Sequence, residues 1–101
     1  MNETEIKATG NGRFEVHGEL NKATVPAVWR HANSLIQAAT QNLVFDLKAV
    51  TRTDSAGLAL LLEWMTMARA RQLQIHFCNL PAQLWEIAKV SDLEELIPLA
   101  D

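Results

Sequence analysis

Asp46-Leu47-Lys48-Ala49-Val50-Thr51-Arg52-Thr53-Asp54-Ser55-Ala56-Gly57-Leu58, continued by Ala59-Leu60-Leu61-Leu62, is the stretch that decides the fold of this chain. It leaves a strand, crosses a polar loop and enters a helix. Upstream, Leu43, Phe45 and Leu47 alternate with Val44 and Asp46, the period of a strand. Downstream, Leu58, Leu61, Leu62, Met65 and Ala68 recur at three- and four-residue spacing between Ser55 and Arg71, the period of a helix. Asp54 or Ser55 caps the free N–H groups of its first turn, where the helix dipole also favours negative charge. Gly57 stands in that first turn at a cost of about 1 kcal/mol relative to alanine. Such a cost implies a backbone kept uncovered, as a close-approaching partner requires.

Working outward, three more segments alternate. Ile6 and Ala8 are interleaved with Glu5, Lys7 and Thr9, Phe14 and Val16 with Arg13, Glu15 and His17, and Leu73, Ile75 and Phe77 with Gln74, His76 and Cys78. Gly10-Asn11-Gly12 joins the first two as a hairpin. Val25, Val28, Trp29, Ala32, Leu35, Ile36 and Ala39 mark a first helix, with Thr24 as its cap and Pro26 in its first turn. A third helix starts at Pro81 behind a cap from Asn79. Ser91-Asp92-Leu93-Glu94 reads as a capping box opening a short last helix before Pro98.

The predicted order is β-β-α-β-α-β-α-α, an α/β fold with a four-stranded mixed sheet. The hairpin makes the first two strands antiparallel, and the two βαβ units make the later ones parallel. A strand buried on both faces reads as continuous hydrophobe, whereas all four here alternate. The helices are therefore expected mainly on one face. The 101 residues amount to a single domain, 1–101.

The net charge of −3 argues against nucleic acid, which selects a basic face. Cys78 is the only cysteine, which excludes an intrachain disulfide and a thiolate cluster. Met1-Asn2-Glu3-Thr4-Glu5 has neither a basic n-region nor an apolar h-region. The longest apolar run, Leu58 to Leu62, is too short to cross a bilayer. A cytoplasmic protein is expected, meeting a membrane only through a partner and not by direct insertion.

On a helical wheel, Leu58, Leu61, Leu62, Met65 and Ala68 of the second helix form one stripe, the expected core face. Leu60, Trp64 and Met67 fall on nearly the opposite side, with Arg71 extending that line. Either a neighbouring helix covers this second stripe, or it is an exposed apolar patch with Trp64 as its anchor. The second alternative is favoured, because the stripe adjoins Ser55. The predicted partner-binding set is Asp54, Ser55, Gly57, Leu60, Trp64, Met67 and Arg71.

The Asp-Leu strand end, the short loop, Asp54-Ser55-Ala56-Gly57-Leu58 and the leucine-rich helix together resemble the STAS family of sulfate-transporter C-terminal domains and bacterial anti-sigma-factor antagonists. Gly18-Glu19-Leu20 is similar to the family's Gly-Glu-Leu-Asp, with Asn21 in place of Asp. The resemblance covers essentially the whole chain. Within the family, the bare-domain length and the Gly57–Leu62 run look most like the small STAS subunits of the Mla phospholipid ABC transporters, which keep the Gram-negative outer membrane asymmetric. That likeness implies a non-enzymatic accessory subunit that binds and activates the cytoplasmic ATPase subunit, reaches the permease through it, and sits peripherally at the inner membrane. The alternative that the resemblance implies is an anti-sigma-factor antagonist controlled by phosphorylation of Ser55.

Catalysis by Ser55 requires a nearby base, and His17, His31 and His76 fall on two strands and another helix in no triad order. The histidines also lack metal-ligand spacing, and no phosphate-loop or dinucleotide fingerprint is present. No cofactor is expected.

Overall fold

The computed structural model describes residues 4–100. Met1–Glu3, on which the expectation of no secretory signal partly rests, and Asp101 lie outside the described residues. Strand β1 (Glu5–Gly10) turns back into β2 (Arg13–Leu20) through Asn11 and Gly12. Both carry positive φ, 56° and 79°, as the type I′ turn that suits strand twist demands. Helix α1 (Val25–Ala38) returns the chain to β3 (Leu43–Asp46), which lies parallel to β2 with Phe14 opposite Phe45.

β4 (Val50–Thr53) was not expected as a strand. Asp46 Oδ1 accepts from Lys48 N at 2.9 Å and Leu47 O from Val50 N at 3.0 Å, turning the chain immediately after β3. β4 then resumes pairing with the same strand, β2, from Gly18 to Leu20. A register shift between Gly18 and Glu19, with Gly18 at φ 105°, lets β2 serve both neighbours. Helix α2 (Ser55–Ala70), strand β5 (Ile75–Cys78, parallel to β3) and helix α3 (Ala82–Val90) follow. The spatial order is β1-β2-β3-β5, with β4 beside β2, so the sheet has five strands and not four.

The expected one-sidedness holds, except that Ala8, expected inward with Ile6, lies exposed toward the end of β1 and Phe14 is only half-buried. Ile6, Val16, Leu20, Leu43, Phe45, Leu47, Ile75 and Phe77 are buried under the helices. Their alternates Lys7, Arg13, Glu15, His17, Val44, His76 and Cys78 are half-buried or exposed. Asp46 is the buried exception on that second face. Burial by itself raises its pKa, but the Asn79 side-chain amide at 3.0 Å, the Lys48 N–H and the charges of Lys48 and Arg13 together hold it below the ordinary value. With a depressed folded pKa, Asp46 contributes stability above its unfolded pKa and loses it as pH falls through the folded one. Asn79→Gly, which keeps the positive φ of 56° easy, is expected to raise the Asp46 pKa and start acid unfolding at a higher pH. Carboxyl-carbon NMR titration and acid denaturation check both.

Several expected helix ends differ. Thr24 makes no side-chain cap on α1. Asn21 Oδ1 instead accepts from Ala23 N at 2.9 Å and Thr24 N at 3.1 Å, while Thr24 Oγ1 donates to Glu19 O at 2.7 Å. Asn79 does not cap α3: the N-cap position is Pro81, two residues further on, and Asn79 Nδ2 donates to Asp46 Oδ1 instead. Ser91 closes α3 as its C-cap and opens no capping box, and only a single 3₁₀ turn, Glu94–Leu96, follows.

Gly57 is explained from inside the molecule. A Cβ there would be driven into Thr53 Oγ1 and would lie 3.3 Å from Leu20 Cβ. The bare backbone is needed for α2 to lie on the sheet, which replaces the expectation of an approaching partner. Gly57→Ala is expected to destabilise by roughly 1–3 kcal/mol through overpacking. Thr53→Ala should recover part of that loss in a double-mutant cycle read by urea denaturation.

Candidate partner-docking site

Four restraints hold the loop that opens α2. Asp54 N donates to Leu20 O at 3.1 Å, tying the loop to the end of β2. Thr53 N donates to Gln83 Oε1 at 2.9 Å, tying it to α3. Asp54 Oδ1 accepts from Ala56 N at 2.8 Å, and Gly57 N donates to Asp54 O at 3.0 Å. Of the two expected caps, Asp54 is the one used. That leaves Ser55 exposed at the first helical position, its hydroxyl free of hydrogen bonds to the described residues.

Beside it lies a polar cleft of about 340 Å³ lined by Glu19, Asn21, Arg52, Thr53, Asp54 and Gln83. No histidine lines it. His17 bonds Glu15 at 3.0 Å on β2, His31 is exposed on α1, and His76 lies on β5. Among the described residues none of the three histidines stands beside Ser55, so the Ser–His pairing that activates a serine nucleophile is not formed, and the corner presents an exposed hydroxyl on a tied-down backbone.

The second stripe of α2 is not a surface. Trp64 is 0% exposed and Leu60 1%, and the indole stacks on Phe45 with ring centroids 4.6 Å apart. Met67 is half-buried against the core. Arg71 Nη1 donates to Ile36 O at 2.6 Å and Ala39 O at 2.9 Å, satisfying carbonyls at the C-terminal end of α1. Gly57 is buried as well. The physical reason is position in the layer. α2 packs between α1 and α3, so it buries against the sheet and two helices at once. Its apolar arc is correspondingly wide, with Gly57, Leu61, Trp64 and Ala68 at its centre, and the Leu60–Met67–Arg71 line turned toward α1.

Of the predicted partner-binding residues, Ser55 and Arg71 are exposed and Asp54 and Met67 half-buried, Arg71 also tying α1 to α2 and Met67 packing on the core, whereas Gly57, Leu60 and Trp64 are buried in the core. The face of α2 that does reach solvent was missed: Ser55, Ala59, Glu63, Thr66 and Ala70 are exposed at helical spacing, with Leu62 half-buried beside them. The sequence carried a signal for it, since this is the arc of the wheel without a large aromatic or methionine. Ser55, Ala59, Thr66 and Ala70 are small and let another helix or loop approach the backbone closely, with Glu63 the one long side chain among these exposed positions.

A sequence model of the STAS domain family described as Mlab matches residues 5–98. The chain belongs to this family. No curated protein sequence matches it significantly. Among solved structures, it is similar to a chain of the Acinetobacter MlaFEDB complex in an ATP-bound conformation, with 24% identity, a TM-score of 0.74, and coverage of 89% of this chain and 95% of that one. It is also similar to the Bacillus cell-fate determinant SpoIIAA in its phosphorylated form, with 18% identity, a TM-score of 0.70, and coverage of 97% and 91%. An anti-sigma-factor antagonist from Mycobacterium paratuberculosis shares 21% identity at a TM-score of 0.74, over 98% of this chain and 85% of that one. At these identities the structures establish the STAS fold. Among the described residues, no helix is long and apolar enough to cross a membrane.

Proposed function

We propose that this MlaB-type STAS domain is a non-catalytic accessory subunit of a phospholipid ABC transporter, one that maintains outer-membrane lipid asymmetry. It docks on the ATPase subunit, reaches the permease through it, and works at the cytoplasmic side of the inner membrane. The observation that carries this reading is the family match over residues 5–98. The Asp54–Ser55 corner, held by four hydrogen bonds, and the exposed face of α2 support it, because together they offer a preorganised surface. The mechanism is a shift of population: a subunit that binds the active ATPase conformation better than the inactive one stabilises it by that difference in affinity.

Affinity purification of the chain from native membranes tests the proposal. Recovery of an ATPase together with a permease is the expected result, and recovery of neither contradicts it.

A second reading has its own support. Ser55 is exposed at a helix N-terminus, and one structural neighbour is the phosphorylated form of an antagonist-type domain. In this reading a kinase partner adds roughly −1.5 to −2 charges at Ser55 and breaks an interface built around a neutral hydroxyl. Intact-mass measurement across growth states separates the two. Stoichiometric phosphate on Ser55 favours the switch, and uniformly unmodified protein favours the transporter subunit.

A further inference from the structure

Beyond the 3₁₀ turn, Ile97–Ala100 passes alongside β5 and meets it in a single parallel bridge. Leu99 pairs with Phe77, Phe77 N donates to Pro98 O at 2.8 Å, and Ala100 N donates to Phe77 O at 2.9 Å. The opposite side of β5 is taken by β3, where Gln74 O accepts from Leu43 N and Cys78 O from Leu47 N. Phe77 therefore turns its backbone groups to the outer edge, where an uncovered strand invites another chain to pair.

The segment covers that edge lightly. Ile97 is buried and Pro98 and Ala100 are half-buried, but Leu99 is 51% exposed, so two backbone hydrogen bonds and one fully buried side chain are the main ties. It does not close against α3, and a gap of about 320 Å³ lies among Phe77, Leu80, Trp85 and Leu99. The connection that feeds it is a single 3₁₀ turn, in which Glu94 Oε2 is buried without a hydrogen-bond partner among the described residues. A carboxylate oxygen buried in that way is a local cost of the folded arrangement. A short connection is also the setting in which an element exchanges between copies of a chain.

We propose that the outer edge of β5 is a strand-acceptor site, filled in cis by Ile97–Ala100 and open in trans to the same segment of a second copy. The trans ligand is specified by what already sits there: a segment of identical sequence makes the same two bonds to Phe77 and places the same leucine against the gap. The product is a strand-exchanged dimer, distinct from the α2 surface and independent of the function proposed for it.

The test uses the full chain and a fluorescent peptide of residues 95–100, read by polarisation. Ala100→Pro removes the N–H that donates to Phe77 O and so weakens the occupant in cis, while the added peptide still supplies it. The peptide is expected to bind this variant at least tenfold more tightly than the wild type, and the same peptide with proline at position 100 is expected to bind neither. Failure of the alanine peptide to bind the variant, or equal binding of both peptides, overturns the proposal. Amide exchange on the unmodified chain gives a measurement that does not depend on the variant. Ala100 and Phe77 should exchange at least tenfold faster than Leu43, because the edge opens without the core. Protection of Ala100 and Phe77 equal to that of Leu43 contradicts a displaceable strand.

Discussion

Replacing Trp64 by alanine is expected to cost about 3–5 kcal/mol of stability, a large share of the roughly 5–15 kcal/mol typical of a domain. For a chain of this size that corresponds to a fall in Tm of roughly 12–40 °C. The indole is fully buried, stacks on Phe45, and lies in a cluster extended by Phe14 and Phe77, whose rings stand 5.3 and 6.3 Å from that of Phe45. Truncation leaves a cavity at the junction of α2 and β3 that the surrounding backbone cannot fill. The indole Nε1 adds a second, opposite term, because it is buried with no hydrogen-bond partner among the described residues. Trp64→Phe removes that unpaired donor, typically worth about 1–3 kcal/mol, against a smaller loss of volume. The phenylalanine variant is therefore expected to lie close to the wild type in urea denaturation and the alanine variant far below it. If the alanine variant unfolds with wild-type stability, Trp64 does not hold the core.

The second large effect concerns binding. Ala59→Arg places a long charged side chain at the middle of the exposed α2 face, one turn beyond Ser55, where alanine leaves the backbone open to close approach. Surface substitutions away from packed features stay within about 0.5 kcal/mol, so the fold should be unaffected. An arginine inserted into a close-packed contact brings steric overlap and an unpaired charge, and truncations or charges at interface centres commonly cost about 2–4 kcal/mol or more. Association with the ATPase subunit is thus expected to weaken at least about a hundredfold, an effect of about 2.7 kcal/mol. Biolayer interferometry on purified partners checks the loss, and thermal melting checks the fold. Unimpaired binding by a folded Ala59→Arg variant would remove this face from the interface.

Much of this architecture was open to reading from local pattern. Alternation placed β1, β2, β3 and β5 because their helix-facing residues are buried while most alternates face solvent. Pro26 and Asp54 marked helix starts through their own backbone chemistry. β4 escaped because Thr51 and Arg52 are both exposed and only Val50 and Thr53 are buried, so four residues paired to the end of β2 show no alternation. The Trp64 stripe was misjudged for a related reason. A wheel reports which residues are apolar but not how many neighbours a helix has, and a helix lying between two others needs a wider core arc than one on a layer's edge. Gly57 shows the same limit: the cost of glycine in a helix was visible, but the contact that requires it, Thr53 Oγ1, comes from the preceding strand. At the proposed docking corner, Asp54 and Ser55 were legible from their motif. Gln83, which fixes the loop from α3, was not, because nothing in its local sequence ties it to Thr53.

Site-specific photo-crosslinking in cells is the most direct measurement of where this domain meets its partner. A benzophenone side chain at Ala59, Glu63 or Thr66 is expected to capture the ATPase subunit, and one at Lys7 or Gln41, exposed elsewhere on the molecule, is expected not to. Silence along the α2 face with capture from Lys7 or Gln41 would contradict the account.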